Sequence, residues 1–159
     1  MTLGIHIGCL MEITKASISD IPQLCQLLDI LFSQEEEFVP DQEAQRNGLS
    51  RIIENPEIGF IVVAKADNKI TGLVNVLFTV STALGSRVAI FEDMVVSPET
   101  RGSGVGSQLL QRAIKLAQND GCKRITLLTD RTNISAQKFY AKHGFKISTM
   151  IPLRLSLGE

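Results

Sequence analysis

A chain of 159 residues with 44% hydrophobic and 21% charged side chains has the length of one globular domain with room for a buried core. Sixteen Lys and Arg stand against 17 Asp and Glu, a formal charge of −1, which excludes the broad basic face of a nucleic-acid binder. No apolar run approaches the roughly 20 residues of a membrane-crossing helix, and the opening MTLGIHIGCL lacks the basic flank and length of a secretion signal. Residues 1–11 therefore read as an extension, with Met11 an alternative start, and residues 12–159 as the domain. Cys9, Cys25 and Cys122 are odd in number, form no CxxC and make no ligand cluster with His6 or His143. They read as reduced thiols of a cytoplasmic protein, with no metal expected.

In chain order, EITKAS (12–17) is a short first strand, and Ser19 caps a helix that tolerates Pro22 in its first turn. Ile21, Leu24, Cys25, Leu28, Leu31 and Phe32 form the apolar stripe of that helix. Residues 40–56 are a second helix closed by Asn55-Pro56. Strand 58–66, a turn at Asp67-Asn68 and strand 69–81 make a hairpin, and strand 87–96 follows a loop around Gly85. A helix over about 104–119 stops at Gly121, a strand covers 123–130, and a short helix over 135–142 ends at Gly144. FKISTMIPLRLSL (145–157) supplies one or two last strands. The order implies an α/β domain, antiparallel at first, with a final βαβ crossover that sets strands 87–96 and 123–130 parallel.

The glycine stretch RGSGVG at 101–106 opens the third helix, and three readings compete for it. It is a plain strand-to-helix loop, a nucleotide loop, or an anion cradle of another design. The dinucleotide fingerprint fails because Gly102, Gly104 and Gly106 are spaced G-x-G-x-G, and a P-loop fails for want of a GK pair. An anion cradle fits: bare amides at a helix N-terminus, where the macrodipole adds positive charge, with Arg101 beside them to pair with a further phosphate oxygen.

Arg101, Gly102, Ser103, Gly104, Val105 and Gly106 match the R/Q-x-x-G-x-G/A signature of the GNAT superfamily of N-acetyltransferases. Downstream, Asn133, Ala136, Phe139, Tyr140, Lys142, Gly144 and Phe145 fit that superfamily's N-x-x-A-x-x-[LF]-Y-x-K-x-G-F pattern. The chain resembles the superfamily strongly over 87–147 and in element order from residue 12. The resemblance implies the acyl-CoA N-acyltransferase fold: a mixed, mostly antiparallel sheet of six to seven strands, about four helices, and a splayed parallel strand pair that holds acetyl-CoA. It implies that Arg101–Gly106 and Ser107 hold the pyrophosphate, and that Met94, Val95 and Val96 pair with the pantetheine arm like an added strand. Asn133, Ala136, Phe139 and Lys142 complete the cofactor surface.

The same resemblance makes Tyr140 the proton donor to the leaving thiolate, although by residue type alone it is an aromatic packed beside Phe139. Asn133 reads equally as a helix cap. Glu92 is the candidate base: alternation sets it with Ile90 and Met94 on one face and Asp93 on the other, where apolar neighbours would raise its pKa. FEDMVV also resembles the ED strand of polyamine and glucosamine-phosphate acetyltransferases, whose glutamate lies near the amine. The rival reading pairs Glu92 with a neighbouring Lys or Arg, and Asp93 is the second choice of base. Glu35, Glu36 and Glu37 could attract a cationic amine but read first as a solvated helix end.

Together these point to an acetyl-CoA-dependent N-acetyltransferase working by direct attack on the thioester in a ternary complex, small-molecule amines being favoured over protein lysines or N-termini. A non-catalytic acyl-CoA-binding module is the rival from another class, and a nucleotide-dependent oxidoreductase is disfavoured by the glycine spacing. Homodimers are common in the superfamily, though no stripe in this sequence marks such a face.

Overall fold

A computed structural model describes residues 10–158. The expectations for residues 1–9, including Cys9, lie outside the described residues. The elements are β1 (Glu12–Lys15), α1 (Ile21–Gln34), α2 (Gln42–Glu54), β2 (Gly59–Ala66), β3 (Lys69–Ser81), β4 (Ser86–Val96), α3 (Val105–Asn119), β5 (Ile125–Leu127) and α4 (Ile134–Lys142). The strands form one sheet in the order β1-β2-β3-β4-β5, antiparallel throughout except for the parallel pair β4–β5. No helix among the described residues is long and apolar enough to cross a membrane.

Local chemistry explains most boundaries. The helical cap near residue 20 falls on Ser17 rather than Ser19. A one-turn 3-10 segment, Ile18–Asp20, precedes α1, and the Ser17 amide donates to the Asp20 carboxylate at 2.9 Å. Asp41 caps α2 by accepting from the amides of Glu43 and Ala44. Asp67 and Asn68 both take positive φ, 47° and 61°, as a two-residue turn matched to the strand twist requires.

The central strands are buried on both faces. On one side α3 packs Leu109, Leu110, Ala113 and Ala117 against Phe60, Val62, Val74, Val76 and Phe91. On the other, α1 and α2 bury Leu24, Cys25, Leu28 and Leu49 against Ile61, Val63, Leu73 and Val95. Cys25 is thus a packing residue, as its place on the helix stripe implied.

Two strand expectations are corrected. The strand expected over 123–130 contracts to Ile125–Leu127, and residues 145–157 form no strand, so the described sheet has five strands rather than six or seven. Ile147, Met150, Ile151, Leu153, Leu155 and Leu157 are 72–90% exposed. The alternating pattern of 151–157 promises a strand only where a neighbour pairs with it. Here β5 pairs over only three residues, and Pro152 has no amide to donate.

Candidate active site

The glycine loop is built as the anion-cradle reading requires. After a short 3-10 turn at Pro98–Thr100, Gly102 and Gly104 adopt φ of 80° and 86°, a left-handed conformation that costs little only without a Cβ. Gly104 is the N-cap of α3, whose first α-helical bond runs from the Gln108 amide to the Gly104 carbonyl at 3.2 Å. The amides of Val105, Gly106 and Ser107 therefore have no carbonyl within the helix and face outward at its positive end. Arg101 donates through Nε to the Val96 carbonyl at 3.0 Å, which ties the loop to the end of β4 and leaves the guanidinium exposed beside those amides. Gly106 sits where a Cβ would lie 3.6 Å from both Phe139 and Val96, so α4 and β4 close directly on the loop.

The strand before the loop has an open edge. β4 runs eleven residues, but β5 pairs only with Ala89, Ile90 and Phe91. From Glu92 to Val96 the side of β4 turned away from β3 has no strand partner among the described residues. Met94, Val95 and Val96 line that edge with main-chain groups, while the Val95 side chain is spent in the core beneath α1. Such an edge can take an extended chain by strand addition, and the α3 amides can take an anion.

A β-bulge decides which carboxylates face what. Val76 pairs with Phe91 but Asn75 pairs with Asp93, so Glu92 has no residue opposite it. The expectation that Glu92 shares a face with Ile90 and Met94, amid apolar neighbours, is corrected on both counts. The extra residue breaks the alternation, so Phe91 and Met94 pack toward α3 while Asp93 faces α1 and α2. Glu92 is exposed, and Asp93 is the more buried carboxylate of the two. Burial pushes the Asp93 carboxyl above its usual range, Glu92 adds to this, and a 3.0 Å hydrogen bond from Asn75 Nδ2 opposes it.

The group that sequence reasoning set aside is Glu35. As the residue that ends α1, it is half-buried rather than solvated, and its carboxyl is pushed up to about 7. Desolvation is the main cause, followed by the charges of Asp93, Asp130, Glu37 and Glu92. Tyr140 lies within reach of the same charge: burial and then Glu35 push its phenol up to about 12. Its ring stacks edge-on against Phe139 at 5.3 Å and Phe145 at 5.8 Å. Packing and chemistry thus meet in one side chain. The fold therefore gathers Glu92 and Asp93 of β4, Asp130 after β5 and Tyr140 of α4 around Glu35 at the end of α1.

Asn133 caps α4, its Oδ1 accepting from the Ala136 amide at 3.0 Å, as its residue type suggested. Ala136 is half-buried in the first turn of that helix, and Lys142 is exposed in its last. Glu35 stood out only as one of three acids that could attract a cationic amine, and Asp130 carried no sequence signal, because only the fold brings the two together. Asn75 did carry one, as the lone amide within the apolar run of β3.

An open strand edge leads to an amide-lined helix start, with a carboxylate cluster and a half-buried phenol nearby, an arrangement suited to acyl transfer from a thioester cofactor. The acetyltransferase (GNAT) family model matches residues 21–145, and the chain belongs to that family. It is 30% identical over 142 residues to the uncharacterized N-acetyltransferase YhfO of Bacillus subtilis, covering 87% of this chain and 92% of the relative. An aminoalkylphosphonate N-acetyltransferase of Salmonella typhimurium is 24% identical, covering 86% of each chain. Among solved structures, the aminoglycoside N-acetyltransferase AAC(6')-Iy in complex with CoA superposes with a TM-score of 0.79 at 19% identity, covering 96% of this chain and 98% of that one. The protein is an acetyl-CoA-dependent N-acetyltransferase, and its fold is the one the two motifs implied.

Proposed function

We propose that the protein acetylates a primary amine of a small molecule by direct attack on the thioester within a ternary complex, with Glu35 as proton acceptor and Tyr140 as proton donor. Acetyl-CoA supplies the activated acyl group; the chain's residues hold it and move the protons. The loop from Arg101 to Ser107 binds the pyrophosphate, and the open edge over Met94–Val96 orients the pantetheine arm. A main-chain amide of that edge donates to the thioester oxygen as it gains charge.

The amine arrives as an ammonium and must lose a proton before it attacks. Glu35, Glu92, Asp93 and Asp130 draw the cation in. A carboxyl at about 7 is matched to taking a proton near neutral pH, which suits Glu35 better than the exposed Glu92. Glu92 then orients the incoming ammonium. Tyr140, with a phenol at about 12, stays protonated and donates to the departing thiolate. The observation that carries the reading is the meeting of Glu35, its carboxyl pushed up to about 7 by burial and by Glu92 and Asp93 of β4 among other charges, with the half-buried phenol of Tyr140. The names of the aminoalkylphosphonate and aminoglycoside acetyltransferases support a small-molecule acceptor.

The test is thiol release from acetyl-CoA against a panel of amines. Tyr140→Phe and Glu35→Gln should each lower kcat by about 10² or more, the range of general acid–base catalysis, with acetyl-CoA binding retained. Glu92→Gln should chiefly raise KM for the amine. Full activity in Tyr140→Phe would remove it from the mechanism.

A further inference from the structure

Between α1, α2 and the sheet lies a cavity of about 280 Å³. Its walls are apolar, chiefly Leu28, Phe32, Phe38, Leu49 and Ile52, and its floor is the pair Asn75 and Asp93. Two other polar side chains line it, and both are engaged in holding α2. Gln45 donates from Nε2 to the Cys25 carbonyl at 3.2 Å and to Asp29 Oδ1 at 3.0 Å, and its Oε1 accepts from the Asp41 amide at 2.8 Å. Asp41 Oδ1 accepts the two amides that open α2.

The floor differs. Asn75 is 5% exposed and gives its Nδ2 hydrogen bond to Asp93, but its Oδ1 is buried with no partner. Buried acceptors are almost always satisfied, so an orphan at the base of a cavity marks the place of a missing donor. The floor of the cavity thus offers two acceptors, Asn75 Oδ1 and the Asp93 carboxyl, with the Asn75 Nδ2 donor already spent on Asp93.

We infer that this cavity is the acceptor site for a primary amine on an apolar body, alkyl or aralkyl, whose ammonium donates to Asn75 Oδ1 and Asp93. The inference rests on the acetyl-transfer reading and names the substrate class for it. The volume is about twice the roughly 150 Å³ that accommodates a benzene ring, enough for a short alkyl chain or a phenylethyl group. A carboxylate is refused, because it would face Asp93, whose own carboxyl already feels the charges of Glu35 and Glu92. A polyhydroxylated amine is refused as well, because its hydroxyls would meet aliphatic and aromatic walls where they need partners.

Gly48 of α2 lines the cavity, and a Cβ there would meet nothing within 4 Å. Gly48→Leu would fill the space while improving helix propensity, so it blocks the site without threatening the fold. The experiment is calorimetric titration of the full chain with hexylamine and 2-phenylethylamine, against 1-hexanol, hexanoate and kanamycin. Both amines should bind at least tenfold more tightly than hexanol, with hexanoate and kanamycin weaker still. Gly48→Leu should weaken the amines at least tenfold with Tm held or raised, and Asn75→Leu should bring hexylamine down to the level of hexanol. Equal binding of amine and alcohol, amine binding untouched by Gly48→Leu, or a preference for kanamycin would overturn the inference. Thiol release with kanamycin but not hexylamine would discard the cavity and keep acetyl transfer. Amine binding in the expected order without thiol release would discard its role as an acceptor site.

Discussion

Glu35 and Asp93 hold raised carboxyl groups, and that has a sign for stability as well as for catalysis. The Glu35 carboxyl moves from the ordinary 4.5 to about 7, so the native chain binds its proton more tightly than the unfolded chain does. The ionised form is disfavoured in the fold, and that penalty is full above about 7 and relieved as pH falls toward 4.5. Asp93 acts in the same direction. The urea midpoint should therefore be higher at pH 6 than at pH 8, and Glu35→Gln should flatten the difference. Asp20 runs the other way. Its carboxyl is held low because hydrogen bonds from Lys65 and Ser17, with the Lys65 charge, outweigh burial, so its stabilisation is lost only as pH falls through that lowered value. Gly104 carries a different constraint, since φ of 86° strains any residue with a Cβ. Gly104→Ala should cost about 1–2 kcal/mol by thermal melt and weaken acetyl-CoA in a binding titration.

The elements were legible in the sequence wherever periodicity and punctuation agreed. α1, α3 and the β2–β3 hairpin fall where their apolar stripes and the Asp67-Asn68 turn put them. The shape of the glycine loop was legible too, because glycine at a left-handed helix start is a local requirement. What could not be read is the bulge at Glu92, since a bulge exists only relative to a partner strand, and it moved the buried carboxylate from Glu92 to Asp93. Asp130 was hidden, and Glu35 was passed over as a solvated helix end, for the same reason: separated by about 95 residues in sequence, they meet only in three dimensions. The start of α1 offers a test at this scale. Lys65 of β2 reaches Asp20 at 2.8 Å, with Asp20 only 7% exposed, and so pins the head of α1 to the sheet. Asp20→Ala should cost about 2 kcal/mol in chemical denaturation, because it strands a partly buried ammonium.

At the scale of the whole molecule, a nearly neutral chain brings five of its 17 acids together around Glu35, and the charge of the site is a property of folding rather than of composition. The stretch 145–157 shows the limit of pattern reading. Its alternation is that of a strand, yet Leu153, Leu155 and Leu157 are more than 80% exposed while Arg154 turns to Glu37 at 3.0 Å and lies over the Phe38 ring at the cavity rim. That ion pair is itself more than half exposed and contributes at most about 1 kcal/mol. Arg154→Ala should accordingly leave the melting temperature within a degree or two.

The central claim is that a carboxyl near pH 7 takes the proton from the attacking amine. The direct test is the pH profile of kcat/KM in the wild type and in Glu35→Gln, with an amine whose own pKa lies well outside the range scanned. The wild type should show an ascending limb with a midpoint near 7 that disappears in Glu35→Gln, whose rate should be low at every pH. A limb that persists unchanged in Glu35→Gln would contradict the assignment and return the role of base to another carboxylate of the cluster.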